Sequence, residues 1–216
     1  MGDAVMAFWG PPFTPEALQA VLACRAALDQ VAAVERFRSE LPDLTGMRRN
    51  LPVIGIRIGL SIGDVVVGNI GSATTRSYTV IGDAVNLASR IEHANRLYGT
   101  RVLICGVTRA LAGDAVVARE IDAIVVKGKT EVTTVHELIG MSDDVADDRQ
   151  ALVRQSEAAL AAYRVQDWQS AESGFRACLD LEPNDPVAQV FLARIDAFRQ
   201  SPPPPEWRGI WILDRK

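Results

Sequence analysis

The sequence predicts an α+β domain followed by a small all-α extension, and three observations carry that expectation. Residues 54–62 alternate, with Ile54, Ile56, Ile58 and Leu60 on one face and Arg57 on the other. Gly63-Asp64 then separates them from a second β-rich run at 65–70, which reads as an antiparallel hairpin. Residues 83–99 place Ala84, Leu87, Ala88, Ile91, Ala94 and Leu97 at helical spacing. Beyond an acidic polar stretch at 141–149, MSDDVADDR, only helical patterns of any length follow. Helices mixed with an antiparallel strand pair place the first part in the α+β class.

Residues 4–9 form an apolar run that reads as a buried strand, ended by Gly10-Pro11-Pro12. A strand in mid-course so near Met1 leads us to expect further structure upstream. Thr14-Pro15-Glu16 is a helix start, with Thr14 as cap and Pro15 in the first turn. That helix is expected to run to about residue 40, with Leu18, Val21, Leu22, Cys24 (off the stripe by a residue), Ala26, Leu28, Val31 and Val34 giving a broad apolar face. In the second hairpin strand, Gly68 and Gly71 permit close backbone approach. A β-branched run at 77–81 turns at Gly82-Asp83 into the helix of 83–99, with Asp83 placed to cap it.

Residues 101–105 read as a short strand, 107–111 as a brief helix, 116–126 as a strand ending in Lys127-Gly128-Lys129, and 132–138 as a last strand. Three helices are expected at 151–164, 169–181 and 186–199. Ala171, Phe175 and Pro183, with Tyr163 and Trp168, have the spacing of a tetratricopeptide helix pair. One such unit cannot bury its faces alone, so it docks on the preceding domain, on a partner copy or on the third helix. The run Ser-Pro-Pro-Pro-Pro at 201–205 is a stiff connector, and the tail EWRGIWILDRK is apolar enough to dock as a strand or clip. The expected organisation is therefore a domain at 1–140, a linker at 141–149, helices at 150–200, and a connector and tail at 201–216.

A chain of 216 residues suits one domain with a small addition, and 48% hydrophobic residues suffice for a core. A net charge of −4 without a long basic run argues against a nucleic-acid polymer as partner. Cys24, Cys105 and Cys178 have neither metal-ligand spacing nor an even number for a disulfide framework, which points to a reducing compartment. No apolar run approaches the roughly 20 residues that span a bilayer, and the N-terminus has no signal-type pattern. The expected location is cytoplasmic, free or as the cytoplasmic part of a membrane-anchored protein.

Asn86 and Arg90 are four apart, so they share a face at the edge of the apolar stripe. An amide donor and a guanidinium fork one turn apart near a helix start suit a polyanion. The same pair also fits an ordinary capped surface helix, and residue pattern alone leaves both readings open. Asp3 fits a turn, Lys127 and Lys129 a solvated strand end, and Thr79 a strand position. His93 and His136 show no partner in the sequence and read as structural.

Four segments in register narrow these readings: GDAVMAFWG, RIGLSIGDVVVGNIG, YTVIGDAVNLASRIEHANRLYGTRVLI and VVKGKTE. Together and in this order they resemble the class III nucleotidyl cyclase catalytic domain over residues 1–140. The C-terminal helices are similar to the tail that follows this domain in some bacterial adenylate cyclases. The resemblance implies a ferredoxin-like domain acting as a homodimer, or as a heterodimer with another cyclase domain, with sites at the interface. It implies ATP as substrate and cyclic AMP and pyrophosphate as products.

By the same resemblance Asp3 is one of two aspartates binding Mg2+ or Mn2+. Asn86 positions the ribose, and Arg90 stabilises the α-phosphate in the transition state. Lys127 contacts the terminal phosphates, with Lys129 as a second candidate. Thr79 helps read the base and leans towards ATP. The family's first strand, with the other metal-binding aspartate, and its adenine-selecting lysine would both precede Met1. Two further readings accompany this one: a half-site homologue acting as a regulatory dimer partner, and a module whose helical tail recruits a protein.

Overall fold

The computed structural model describes residues 4–72, 74, 76–126 and 132–213. Its first helix, α1 (Gln19–Thr45), follows a 3-10 turn at Glu16–Leu18 and ends at Gly46, whose φ of 69° is left-handed. Ala20, Cys24 and Ala27 recur at four and three residues and are buried with Leu41. The expected Thr14 side-chain cap does not form, and the helix continues past Pro42 to Thr45. By length and composition α1 could cross a membrane, which corrects the expectation that no segment is apolar enough. In this fold its small residues pack on a sheet.

Residues 4–10 do not form the expected strand, and no ladder pairs them among the described residues. Val5 is almost fully exposed. Apolar sequence alone does not make a strand where no sheet edge is offered to it.

Five strands form the main sheet in the order β1-β4-β6-β5-β7. They are β1 (Ile58–Leu60), β4 (Val102–Cys105), β5 (Val116–Val126), β6 (Val132–Met141) and β7 (Ile210–Leu213). β1 runs parallel to β4, β4 and β5 both run antiparallel to β6, and β7 runs parallel to β5. The remaining strands, β2 (Val66–Gly71) and β3 (Arg76–Ile81), make a separate antiparallel ribbon with Val66 opposite Ile81.

This corrects the expected hairpin of 54–62 with 65–70. Alternation marks each run as a strand but does not choose its partner. At Gly63-Asp64 the chain leaves the main sheet, and the reversal occurs after Gly71 instead. The 65–70 run pairs with 76–81, and only Ile58–Leu60 of the earlier run joins the ladder.

The sheet carries helices on both faces, and β4 shows why. Val102 and Ile104 enter the core beneath α1 and α3 (Gly106–Ala112), with Ala118 and Leu138. Leu103 and Cys105 alternate to the other face. There they meet Ile91, Ala94 and Tyr98 of α2 (Asp83–Tyr98), together with the C-terminal helices.

Those helices are α4 (Asp147–Arg164), α5 (Trp168–Leu181) and α6 (Pro186–Gln200). Asp167 and Asp185 cap α5 and α6 by accepting from the backbone N–H of Ser170 and Ala188. Gly174 lets α5 approach α4, since a Cβ there would come within 2.7 Å of the Ala159 Cβ. Tyr163, Trp168, Phe198 and Trp207 gather where the tail folds back, Tyr163 meeting Trp207 edge-on at 5.3 Å. The tail then adds β7 to the sheet edge beside β5. The expected strand-like docking of the tail therefore has a definite partner, and the helices pack on their own chain's sheet.

Candidate active site

Helix α2 organises the site. It starts where β3 ends, and Gly82 rather than Asp83 takes the cap position. Asp83 lies in the first turn, where a negative charge complements the helix dipole. Gly82 sits so close to the chain after β1 that a Cβ would meet the carbonyl oxygen of Asp64 at 2.9 Å. Further along, Gly59 of β1 touches the backbone of Ala88 and Glu92, leaving no room for a side chain. The helix is thus laid against the sheet by backbone contact in its middle.

Asn86 is exposed and Arg90 half-buried on this helix. Neither side chain has a hydrogen bond or ion pair to a described residue. Among the described residues, Arg90 is the one arginine that is partly buried yet has no such partner. The others at that depth or deeper, Arg109, Arg119, Arg164 and Arg194, are all engaged. Five guanidinium N–H donors therefore stand uncommitted one turn from the free amide of Asn86. Thr79 lies half-buried in β3, opposite Gly68. Asp3, Lys127 and Lys129 lie outside the described residues.

An open cleft of about 450 Å³ flanks the start of α2, lined by Ser61, Ile62, Gly63, Asp64, Asp83, Ala84 and Leu87. The Ser61 hydroxyl is buried there without a hydrogen-bond partner. A second cavity, about 170 Å³, lies away from α2 between α1 and the 55–56 segment, where Glu35 pairs with Arg101. Neither includes Asn86 or Arg90. Among the described residues no group of three or more carboxylate, imidazole or thiol side chains gathers to hold a metal ion. These residues alone do not make a divalent-metal cage.

The C-terminal end of α2 contrasts with this open face, and the sequence reading missed it. Asn95 is fully buried, donating to the Ile58 carbonyl at 3.0 Å and accepting from the Thr100 hydroxyl at 2.9 Å. Tyr98, also fully buried, donates its hydroxyl to Asp122 Oδ2 at 2.6 Å. Burial and the Asp122 charge push the Tyr98 hydroxyl well above its ordinary range, which keeps its proton in place. Arg194 of α6 reaches the same Oδ2 at 2.6 Å. Its guanidinium lies 3.7 Å from the ring centre of Trp211 in β7. In the sequence, Asn95, Tyr98, Asp122 and Arg194 are polar positions far apart, and periodicity gives no signal that they meet.

Residues 1–138 match the family described as the adenylate and guanylate cyclase catalytic domain. The chain belongs to this family. The cyclase domain is similar in structure to the adenylyl cyclase CyaB from P. aeruginosa. That likeness has a TM-score of 0.55 and 27% identity, covering 64% of this chain and 68% of that one. In sequence the chain is 39% identical over 141 residues to an adenylate cyclase of Anabaena cylindrica, covering 64% of this chain and 27% of the relative.

It is also 30% identical over 198 residues to the terminal-differentiation specific adenylate cyclase of Dictyostelium discoideum, covering 90% of this chain and 9% of the relative. The cyclase chain thus spans only a minor part of these relatives. The last similarity is too long to stop at residue 138, so it takes in part of the C-terminal helical region as well.

Proposed function

We propose that this chain is an adenylate cyclase catalytic domain that converts ATP to 3′,5′-cyclic AMP and pyrophosphate. The observation that carries the reading is the pair Asn86 and Arg90, one turn apart on α2 and uncommitted to any described residue. In the reaction the ribose 3′ oxygen attacks the α-phosphorus. The bond from that phosphorus to the oxygen bridging to the β-phosphate breaks, pyrophosphate leaves, and the hydroxyl proton passes to water.

A guanidinium meets charge on phosphoryl oxygens with a rigid fork of donors, which is the role proposed for Arg90. The Asn86 amide holds the ribose so that attack and departure are in line. Thr79 reads the base, and Lys127 contacts the terminal phosphates. Mg2+ or Mn2+ is the proposed cofactor, with Asp3 as a ligand. The proposed assembly is a pair of cyclase domains. Its support is that neither of the two cavities described above is lined by Asn86 or Arg90, while the β2–β3 ribbon exposes Val66, Tyr78 and Ile81.

The full chain incubated with ATP and Mn2+ is expected to form cyclic AMP and pyrophosphate in equal amounts, separated by chromatography. Arg90→Ala is expected to cut the rate by about 10²–10³-fold. A second reading, a half-site partner, is favoured by the lack of a metal-ligand cluster among the described residues. Mixing the chain with a metal-competent, arginine-deficient cyclase domain separates the two. Activity only in the mixture supports the partner reading. No product in either assay defeats both.

A further inference from the structure

The tie between α2 and the C-terminal helices lies on the helix that carries the proposed site, and its geometry is specific. A regular strand would turn residues 119 and 122 to opposite faces of the sheet. The register shift between Glu120 and Asp122 inserts one extra residue in β5, and Arg119 and Asp122 both face the helices. Arg119 donates to Asp185, the cap of α6, at 2.6 and 3.0 Å, and to Glu137 at 2.7 Å. Asp122 accepts from Arg194, about two and a half turns further along α6. Two buried ion pairs therefore pin α6 to β5 near its start and past its middle.

The same helix meets the end of α2. Asp122 Oδ2 is shared by Arg194 and Tyr98, the last residue of α2. Arg194 also reaches the Tyr98 hydroxyl at 3.4 Å. Gly99, left-handed at φ 68°, abuts Pro186 at the first turn of α6, where a Cβ would lie 2.5 Å from the proline Cβ. An α-helix of 16 residues is a stiff rod of about 24 Å. A change of angle at Tyr98 is therefore carried to Arg90 and Asn86.

We infer that the C-terminal helices are a positioning element of the nucleotide site, with Arg194 acting through Asp122 and Tyr98 to fix the helix that presents Asn86 and Arg90. The inference rests on the proposed role of those two residues. It agrees with a relative whose similarity continues beyond the catalytic domain into the helical region. Arg194 itself is buried, and its hydrogen bonds and ion pair go to Asp122 and Tyr98 rather than to Thr79, Asn86 or Arg90.

The test uses the full chain, with hydrogen exchange read by mass spectrometry and ATP binding read by calorimetry. Tyr98→Phe removes one hydroxyl and keeps the ring. It is expected to speed exchange of the α2 amides about five- to tenfold, while α4 and α5 keep wild-type protection. The ATP dissociation constant should rise about fivefold. Arg194→Lys keeps a cation beside Asp122 but lacks the fork that also reaches Tyr98. It is expected to keep thermal stability closer to the parent's than it keeps the protection of α2.

Unchanged α2 exchange in Tyr98→Phe, or a uniform rise across all helices, overturns the inference. So does weaker ATP binding in Arg90→Ala alone, with Tyr98→Phe binding as the parent does. If α2 loosens while neither Arg90→Ala nor Tyr98→Phe alters ATP binding, the hold on α2 stands and the reading of Arg90 as a nucleotide ligand fails.

Discussion

The two ends of helix α2 obey opposite rules. At its C-terminal end every buried polar atom of Asn95 and Tyr98 is engaged, and the partners come from β1, β5, α6 and Thr100 just past the helix. Towards its N-terminal half Asn86 and Arg90 are engaged by nothing described. A buried polar group left unpaired costs stability, so the fold completes the first end. Donors left open cost little while water reaches them, so the second end can be kept for a ligand. The difference shows how one helix is both an anchor and a presenting surface. It also predicts that substitutions at the two ends have separable consequences.

The largest effect on stability is expected from Arg194→Ala. The change leaves Asp122 fully buried and without its countercharge. Removing one partner of a buried pair costs about 3–5 kcal/mol. Urea unfolding monitored by tryptophan fluorescence should show a midpoint lowered accordingly. A loss below about 1 kcal/mol would mean that the C-terminal end of α2 is not an anchor.

Gly59→Ala tests the middle of the helix. The added methyl would meet the backbone of Ala88 and Glu92, which cannot rotate away as a side chain does. Overpacking of this kind costs about 1–3 kcal/mol. Because α2 must lift from β1, the same variant should weaken ATP binding. Gly68→Ala is its control, since a Cβ there meets nothing within 4 Å.

Much of this architecture is legible in the sequence, and the exceptions have physical causes. The span Val116–Val126 of β5 and the three C-terminal helices are found within a few residues of where their patterns put them. Local periodicity and caps such as Asp185 carry that information. Strand partnership is not local. The 65–70 run has the same alternation whether it pairs backwards across Gly63-Asp64 or forwards with β3. The Tyr98, Asp122 and Arg194 cluster was invisible for the same reason. Only a β-bulge and a long crossover bring those residues together, and neither leaves a spacing to read. The shared helix of Asn86 and Arg90 was legible because one turn places them four residues apart on α2.

A smaller effect should appear with pH. Burial lowers the His136 imidazole from its ordinary 6.5, working against Glu120 and aided by Arg109 and Arg164. The folded chain therefore holds this proton less tightly than the unfolded chain does. Stability from this group is complete above about pH 6.5 and falls as pH drops from there through the folded-state value. Melting temperatures should decline on acidification over that window, and His136→Gln should flatten the decline. An unaltered slope in the variant would assign the pH dependence to other groups.

The smallest effect on stability is expected from Arg90→Ala, and that small size is the sharpest test of the contrast along α2. Arg90 contributes no ion pair or hydrogen bond to a described residue, so truncation leaves no partner orphaned. Its lost contacts are those of a half-exposed stem, and such changes usually lie within about 0.5 kcal/mol. Thermal and urea midpoints should stay at the parent values while ATP affinity and cyclic AMP formation fall. A large loss of stability would make Arg90 an anchor like Arg194, and the division of α2 into a fixed end and a presenting end would fail. Parent-like stability with parent-like ATP binding would keep the division but leave the open face without its proposed ligand.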